Sequence, residues 1–516
     1  MKTINILILF IFLQQSYIIG QPDITWLRTY GGSQTDVAVS LCKTFDGGYI
    51  FTGTTASSDG DVSANHGERD IWVLKVTSQG EMEWEKCFGG TDWDHASKVI
   101  VLSDSTYLVA GSVKSTNGDV IGNHGDYDGW LFKLDNSGNM LWQKCFGGEG
   151  TEYIFDIKQT IDGGYIMVGT NSSEYINGVA TGNHGSLDYW IVKLDSLGNY
   201  DWQKTYGGYH EDAPRQVLIE DDGGYIVAGT TWSNDGDITG FQGGMDFWIL
   251  KLNAFGDIEW KKCYGGSGID RGSSIISINN SGWIIAGNTD SDDGDVTGGH
   301  GDDDIWVIKI DETGILEWQK CFGGSLSDLA VRIQETLDGD FIIVGRTSSY
   351  DGDVSGMHGY YDIWVFKMNN LNEIIWQKCI GGIFGETGMD LVENENNVFT
   401  IIGSSSSYDG DMSYNHGWED LCIFYLDETV GITTQESMVY IYPNPIVNKG
   451  INIDCSIIKP TRLRLFDLNG RMLLDKKLNQ KSTYIDLESI SNGIYLIQVF
   501  CGENLIQQQK VVKRSY

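Results

Sequence analysis

Proline is nearly missing from this chain: 516 residues contain five. That rules out collagen-like and proline-rich disordered classes. Positive charge is scarce too, with 35 Lys and Arg against 71 Asp and Glu, a formal net of −36. Nucleic acid and anionic membrane surfaces both select for lysine and arginine, so neither is expected as a partner. No stretch sustains a helical period, which argues against an α or α/β fold. Cysteines number nine, and five of them, Cys87, Cys145, Cys263, Cys321 and Cys379, recur in W-x-K-C. Equivalent positions of successive repeats should lie too far apart to bridge, since a disulfide needs Cα atoms within about 7 Å. They are expected as small buried hydrophobes.

Long apolar runs are absent except at the N-terminus, MKTINILILFIFLQQSYIIGQP. Lys2 supplies a positive start, Ile4 to Leu13 an apolar stretch, and Gly20 a small residue for cleavage. Residues 1–20 therefore read as a secretory signal peptide. The run is short for a membrane span, which needs about 20 apolar residues.

Glycine, by contrast, is abundant at 67 residues, and it recurs in register. The anchor W-x-x-x-[aromatic]-G-G begins at Trp26, Trp84, Trp142, Trp202, Trp260, Trp318 and Trp376, with Ile380 replacing the aromatic in the last copy. The spacing is 58 residues, and 60 once. Each unit holds four alternating runs, in the first unit DVAVSLCKT, YIFTGTT, DIWVLKV and EMEWEKCF. Four strands per unit and seven units predict an all-β, seven-bladed β-propeller. The last unit lacks a fourth strand, and ITWLRTY at 24–30 is a fourth strand without its first three. The N-terminal strand is therefore expected to complete the last blade and close the ring, giving a monomer with protected edges. Thirteen of 17 tryptophans fall in the third-strand and fourth-strand columns, which suits packing between blades.

The second and third strands are joined by loops such as DGDVSANHGERD. Their aspartates, Asp59 and Asp61, Asp235 and Asp237, Asp293 and Asp295, Asp351 and Asp353, Asp409 and Asp411, resemble alternating calcium ligands. The bidentate glutamate of a calcium loop is missing. Turn chemistry explains the pattern better, so no cofactor is expected, with structural calcium as the rival. Histidine follows in six units, at His66, His124, His184, His300, His358 and His416, and Gln242 takes its place in the fourth. A closing acid, Asp70, Asp128, Asp188, Asp246, Asp304, Asp362 or Asp420, is present in all seven. So is an acid four residues past each G-G: Asp36, Asp94, Glu152, Asp212, Asp270, Asp328 and Glu386.

A repeated residue braces a fold, whereas a ligand site should lie where the units differ. Trp93, His95, Tyr153, Tyr209, His210, Trp232, Arg271 and Trp418 depart from the repeat on the face carrying these loops. They are the candidate contacts for a carbohydrate or protein ligand. An enzyme, either a hydrolase or a quinoprotein-like oxidoreductase, is the alternative, although no nucleophile motif supports it.

GGSQTDVAVSLCKTFDGGYIFTGTT resembles the bacterial seven-bladed β-propeller repeat, over about residues 24–427. That resemblance implies a scaffold and names no activity. KLDSLGNYDW and KIDETGILEW look like the docking motif of pyrroloquinoline-quinone dehydrogenases, but no cofactor constellation accompanies them.

Composition changes near residue 436. Residues 437–516 hold 11 Lys and Arg against 6 Asp and Glu, and the repeat stops. Short alternating runs with NG turns alone predict a small β domain there. The succession YPNP (Tyr442, Pro443, Asn444, Pro445), LRLFDLNGRML with Asn469 and Gly470, and NGIYLIQV from Asn492 and Gly493 closely resembles the type A C-terminal sorting domain of Bacteroidetes type IX secretion. The resemblance implies a β-sandwich that meets the secretion translocon and sortase, and delivery to the medium or the cell surface. The chain thus divides into 1–20 signal peptide, 21–430 propeller, 431–436 linker and 437–516 sorting domain.

Overall fold

The computed structural model describes residues 21–513 apart from 177–178, 279–280, 395–396, 413, 429–438, 443–449, 456–460, 468–470, 479, 481 and 502–503. The signal-peptide reading, and Pro443, Asn444, Pro445, Asn469 and Gly470, lie outside the described residues. The chain divides into two compact units, Met1–Gly431 and Ile432–Tyr516. All named elements are strands.

After β1 (Asp23–Tyr30), the first sheet is β2 (Asp36–Lys43), β3 (Tyr49–Thr55), β4 (Asp70–Val76) and β5 (Met82–Phe88), paired antiparallel in that order. The same four-strand pattern returns in sheets that begin with β6 (Asp94–Val101), β10 (Glu152–Gln159), β16 (Asp212–Ile219), β20 (Asp270–Ser277) and β24 (Asp328–Glu335). A two-residue-per-strand hairpin, Tyr175–Ile176 with Val179–Ala180, fills the longer loop of the third unit. The last of these sheets contains β28 (Glu386–Glu393), β29 (Val398–Ser405) and β30 (Asp420–Asp427), and its fourth strand is β1. β1 runs antiparallel to β30 from Asp23 opposite Asp427 to Tyr30 opposite Leu421. Repeated four-stranded antiparallel sheets of this kind are consistent with a propeller.

The sheets share cores. One apolar cluster joins Tyr30, Ile402, Leu421 and Ile423 to Ala38, Phe51, Trp72 and Leu74, bringing together residues from opposite ends of the repeat array. Every first strand carries a register shift at the same place, between Ala38 and Ser40 in β2 and between Asp390 and Gly388 in β28. Such a bulge turns two successive side chains toward one side.

The two tryptophan columns behave differently. Third-strand rings Trp72, Trp130, Trp190, Trp248, Trp306 and Trp364 are fully buried. Buried indole needs an acceptor for its N–H. Five find one on the adjacent fourth strand: Trp72 to Glu85, Trp130 to Gln143, Trp190 to Gln203, Trp306 to Gln319 and Trp364 to Gln377, at 2.7 to 3.1 Å. Fourth-strand rings are mostly half-buried. They lie over the next unit's turn glycine, Trp26 on Gly80 and Trp202 on Gly256, both at positive φ. Tyr206 Oη reinforces the second of these by donating to Gly256 O at 2.7 Å. The D-x-x-G-x-x-x-W likeness therefore corresponds to a turn covered by a neighbour's tryptophan.

The tail has two sheets. β31 (Val439–Tyr442), β32 (Gly450–Cys455) and β35 (Ser482–Asp486) form one; β33 (Arg462–Asp467), β34 (Met472–Lys477), β36 (Gly493–Cys501) and β37 (Asn504–Lys513) form the other. Ile451, Ile453 and Ile485 from the first meet Leu463, Leu465, Ile497, Val499 and Val511 from the second in one core.

The fourth unit breaks the indole rule. Lys261 stands where the acceptor should be, and Trp248 Nε1 is buried without a hydrogen-bond partner. Lys261→Gln should supply the acceptor and raise stability by about 0.5–1.5 kcal/mol. Thermal melting of the two proteins checks this; an unchanged or lower midpoint contradicts it.

Candidate functional site

The D-G-D loops act on the turn that carries each G-G pair. Asp59 Oδ1 accepts the Ser33 N–H at 2.7 Å, and Asp61 Oδ2 accepts the Gly31 N–H at 3.2 Å. The pattern holds for Asp235, Asp293, Asp351 and Asp409, which accept from Tyr209, Ser267, Ser325 and Ile383 at 2.6 to 2.9 Å. It holds more loosely for Asp237, Asp295, Asp353 and Asp411, which accept from Gly207, Gly265, Gly323 and Gly381 at 3.3 to 3.4 Å. All ten candidate calcium ligands thus commit an oxygen to a backbone donor. Among the described residues no group of three or more His, Cys, Asp and Glu side chains is placed to hold a metal ion.

The inner acid column completes the turn. Asp36 Oδ2 accepts from Gly32 N at 2.7 Å and Ser57 Oγ at 2.8 Å, and its Oδ1 accepts from Thr55 Oγ1. The closing acid of the preceding unit reaches the same glycine pair from the other side. A Cβ on Gly31 would sit 2.5 Å from Asp420 Oδ1 and 2.9 Å from Asp36 Oδ2. On Gly89 it would sit 2.7 Å from Asp70 Oδ1 and 2.6 Å from Asp94 Oδ2. Glycine is required there because two buried carboxyls flank its Cα.

Histidine holds the closing acid. His66 gives Asp70 Oδ2 both its backbone N–H at 2.9 Å and its ring Nδ1 at 2.5 Å. His416 does the same for Asp420, and its Nε2 points at Asp61 of the next turn, 3.7 Å away. Gln242 takes over only part of this role. Its N–H reaches Asp246 Oδ2 at 2.8 Å, and its amide reaches Asp295 at 2.7 Å. The Oδ1 of all seven closing aspartates is buried without a hydrogen-bond partner. Burial therefore raises these carboxyls, with the inner acid facing them adding to the effect at Asp188, Asp246 and Asp304. Asp188 and Asp304 are pushed up to about 6, and Asp246, which lacks the imidazole, to about 7.

The variable residues fall into separate groups. Arg69 covers one face of Trp93 at 4.8 Å; Trp93 meets His95 at 6.0 Å. His95 stacks on Tyr127 at 6.0 Å, and Tyr127 meets Tyr153 at 5.2 Å. His95 and Tyr153 also line a cavity of about 350 Å³ whose walls come from all seven first strands. Tyr209 and His210 pack edge to face at 5.3 Å, with Tyr209 exposed. Trp232 is exposed, and its backbone N–H donates to Glu211 O, next to His210, at 3.0 Å. Arg271 lies 3.8 Å from Asp303, and Trp418 is exposed on its own loop. Tyr127 and Arg69, which join the first group, were not among the expected contacts. Tyr127 immediately precedes a closing acid, and that adjacency masked it as part of the repeat.

Several known proteins are similar to parts of this chain. The model of the secretion system C-terminal sorting domain matches residues 440–514. That tail marks the chain as cargo of the type IX secretion system, exported to the cell surface or beyond, and implies contact with that machinery. The regulatory protein FlaEY of Caulobacter vibrioides is 23% identical over 339 residues, 57% of this chain and 34% of its own length. The ulvan lyase NLR42 of Nonlabens ulvanivorans is 30% identical over 86 residues, 16% of each chain. The chain thus spans about a third or less of these relatives. Among solved structures, PorZ, a surface component of the type IX secretion system of Porphyromonas gingivalis, is 12% identical, with 95% of this chain and 75% of that one covered and a TM-score of 0.28. A protein of unknown function from Bacteroides caccae is 14% identical, with 61% and 97% covered and a TM-score of 0.34.

The raised carboxyls set a pH dependence. A folded-state pKa above the ordinary 3.8 favours the folded state below that value, and the benefit is lost as pH climbs through the folded pKa. For Asp188, Asp304 and Asp246 the window runs from 3.8 to about 7. The melting midpoint should fall across that range. Gln242→His should leave the early part of the fall unchanged and remove its last part, because an imidazole then lowers Asp246. A midpoint flat from pH 4 to 7 would contradict the burial argument.

Proposed function

We propose that this protein is an extracellular binding propeller, delivered by type IX secretion, that captures a carbohydrate on the face carrying the D-G-D loops. In this reading residues 1–20 direct passage through Sec and are removed. Residues 21–430 form a seven-bladed ring that β1 closes, residues 431–436 link it to the tail, and 437–516 engage the translocon and are cut by its sortase. The ring works as a monomer.

The observation that carries the binding site is the run of rings Trp93, His95, Tyr127 and Tyr153. These residues break the repeat, they are contiguous, and Trp93 is 41% exposed. An isolated aromatic on a surface needs no explanation, but a contiguous row leading to a cavity marks a recognition surface. Flat aromatic faces suit the C–H faces of sugar rings. Tyr209, His210, Trp232, Arg271 and Trp418 would serve as further contacts for a long ligand. The D-G-D aspartates are turn caps in this account, so chelation should leave the melting midpoint unchanged. A chelator-sensitive midpoint restored by calcium would replace that part of it with structural calcium.

Retention on a panel of immobilised polysaccharides tests the binding reading. The secreted protein should be retained by at least one, and Trp93→Ala or Tyr153→Ala should abolish retention while shifting the melting midpoint little. Retention by no polysaccharide, with a surface protein captured instead, would make this a protein receptor. Deleting residues 437–516 should keep the repeat unit folded inside the cell; a tailless protein found in the medium contradicts the delivery route.

A further inference from the structure

The inner wall of the repeat unit carries a hydrogen-bonded belt. One residue after the bulge, five first strands present a side chain that accepts from a backbone N–H of the next unit. Ser40 Oγ accepts from Val99, Asp156 from Val217, Gln216 from Ile275 and Ser274 from Ile333, at 2.9 to 3.4 Å. Asp390 accepts from Leu41 at 3.0 Å, between residues 349 apart in sequence. At the two remaining positions the acceptor is gone, replaced by Lys98 and Arg332. A lysine or arginine cannot accept, so each substitution gives up a junction bond. Each substitution trades that bond for an ionic contact with Asp390, and a rule broken only where a cation enters points to a functional demand.

The two cations turn into the cavity. Lys98 Nζ donates to Asp390 Oδ2 at 3.2 Å, and Arg332 Nε lies 3.4 Å from Asp390 Oδ1. Arg332 Nε is buried and makes no hydrogen bond. Arg215, one residue before the belt position of its strand, lies over the ring of Phe155 at 4.8 Å and also lines the cavity. Three cations, Lys98, Arg215 and Arg332, therefore line the cavity with two carboxylates, Asp156 and Asp390. In a chain of net charge −36 this is a confined positive spot. Cations held this close repel one another, and partial burial strips water from Lys98 and Arg332. The arrangement is satisfied when an anion enters. The lower acidic field outside works against anions, so only a site with fixed, partly desolvated donors would hold one.

We infer that this cavity is an oxyanion-binding site: it takes the carboxylate, sulfate or phosphate group of a small ligand between Arg332, Lys98 and Arg215. Guanidinium and ammonium donors match such groups through charge-assisted hydrogen bonds. The space of about 350 Å³ suits a group of monosaccharide size. The site does not depend on polysaccharide capture by the aromatic row.

Calorimetric titration of the secreted protein at constant ionic strength tests the inference, with inorganic sulfate, inorganic phosphate, glucuronate and glucose as probes. At least one anion should bind with a stoichiometry of one, and glucose should not. Glucuronate binding more tightly than both inorganic ions would identify an acidic sugar; the reverse would identify a free ion. Arg332→Gln and Arg215→Ala should each weaken binding about tenfold, the loss expected for one charge-assisted contact. Arg215→Ala leaves the Asp390 contacts intact, so it keeps the test valid if Arg332→Gln, which loses one, melts early. Failure of all three anions to bind, or binding indifferent to both substitutions, would overturn the site. Trp93→Ala should leave anion binding intact, which separates this outcome from the fate of the polysaccharide reading.

Discussion

Each junction of the repeat unit depends on burying two carboxyl groups against one pair of glycines. An acid from the unit's own first strand and the closing acid of its neighbour meet at the G-G turn, and both are buried there. Burying like charges is unfavourable unless their oxygens are met by donors or protonated. The surrounding sequence is organised around that need. Backbone N–H groups of the turn, a threonine from the second strand, a serine just past its end, and an imidazole from the loop converge on the two groups. The opening D-G-D then caps the same turn from outside. The repeated motif is therefore one electrostatic device, copied at each junction.

The belt on the inner side and the tryptophans on the outer side add to this device without sharing its chemistry. The belt ties backbone to side chain between first strands, and the fourth-strand rings lie on the neighbour's turn glycines. Interactions at three depths make each sheet interdependent with the next, as expected of a repeat array whose neighbours supply its stability. Where the copies diverge, they do so toward solvent or toward the cavity. The aromatic row and the basic cluster occupy those two places.

Much of this was legible in the sequence. The period near 58, the four alternating runs and the invariant acids identified the strands and the turns, because burial and turn geometry act on every copy alike. The pairing of β1 with β30 followed from the orphan strand at 24–30. Other features were not legible. The tryptophan columns look equivalent in sequence, yet one is fully buried and the other half-exposed, a difference set by which strand lies outermost. Lys98 and Arg332 read as ordinary polar residues of alternating strands; only the bulge shows that they replace an acceptor. The row through Tyr127 joins residues of adjacent units, and no single-unit pattern could reveal it.

The central claim is that the N-terminal strand belongs to the last sheet as firmly as any internal fourth strand belongs to its own. Hydrogen exchange of the secreted protein measures this directly, comparing the segment 21–31 with the internal fourth strands at 82–88 and 258–264. Slow exchange of 21–31, matching the internal strands, is the predicted result. Exchange of 21–31 at the rate of a frayed terminus, with the internal strands still protected, would contradict the account.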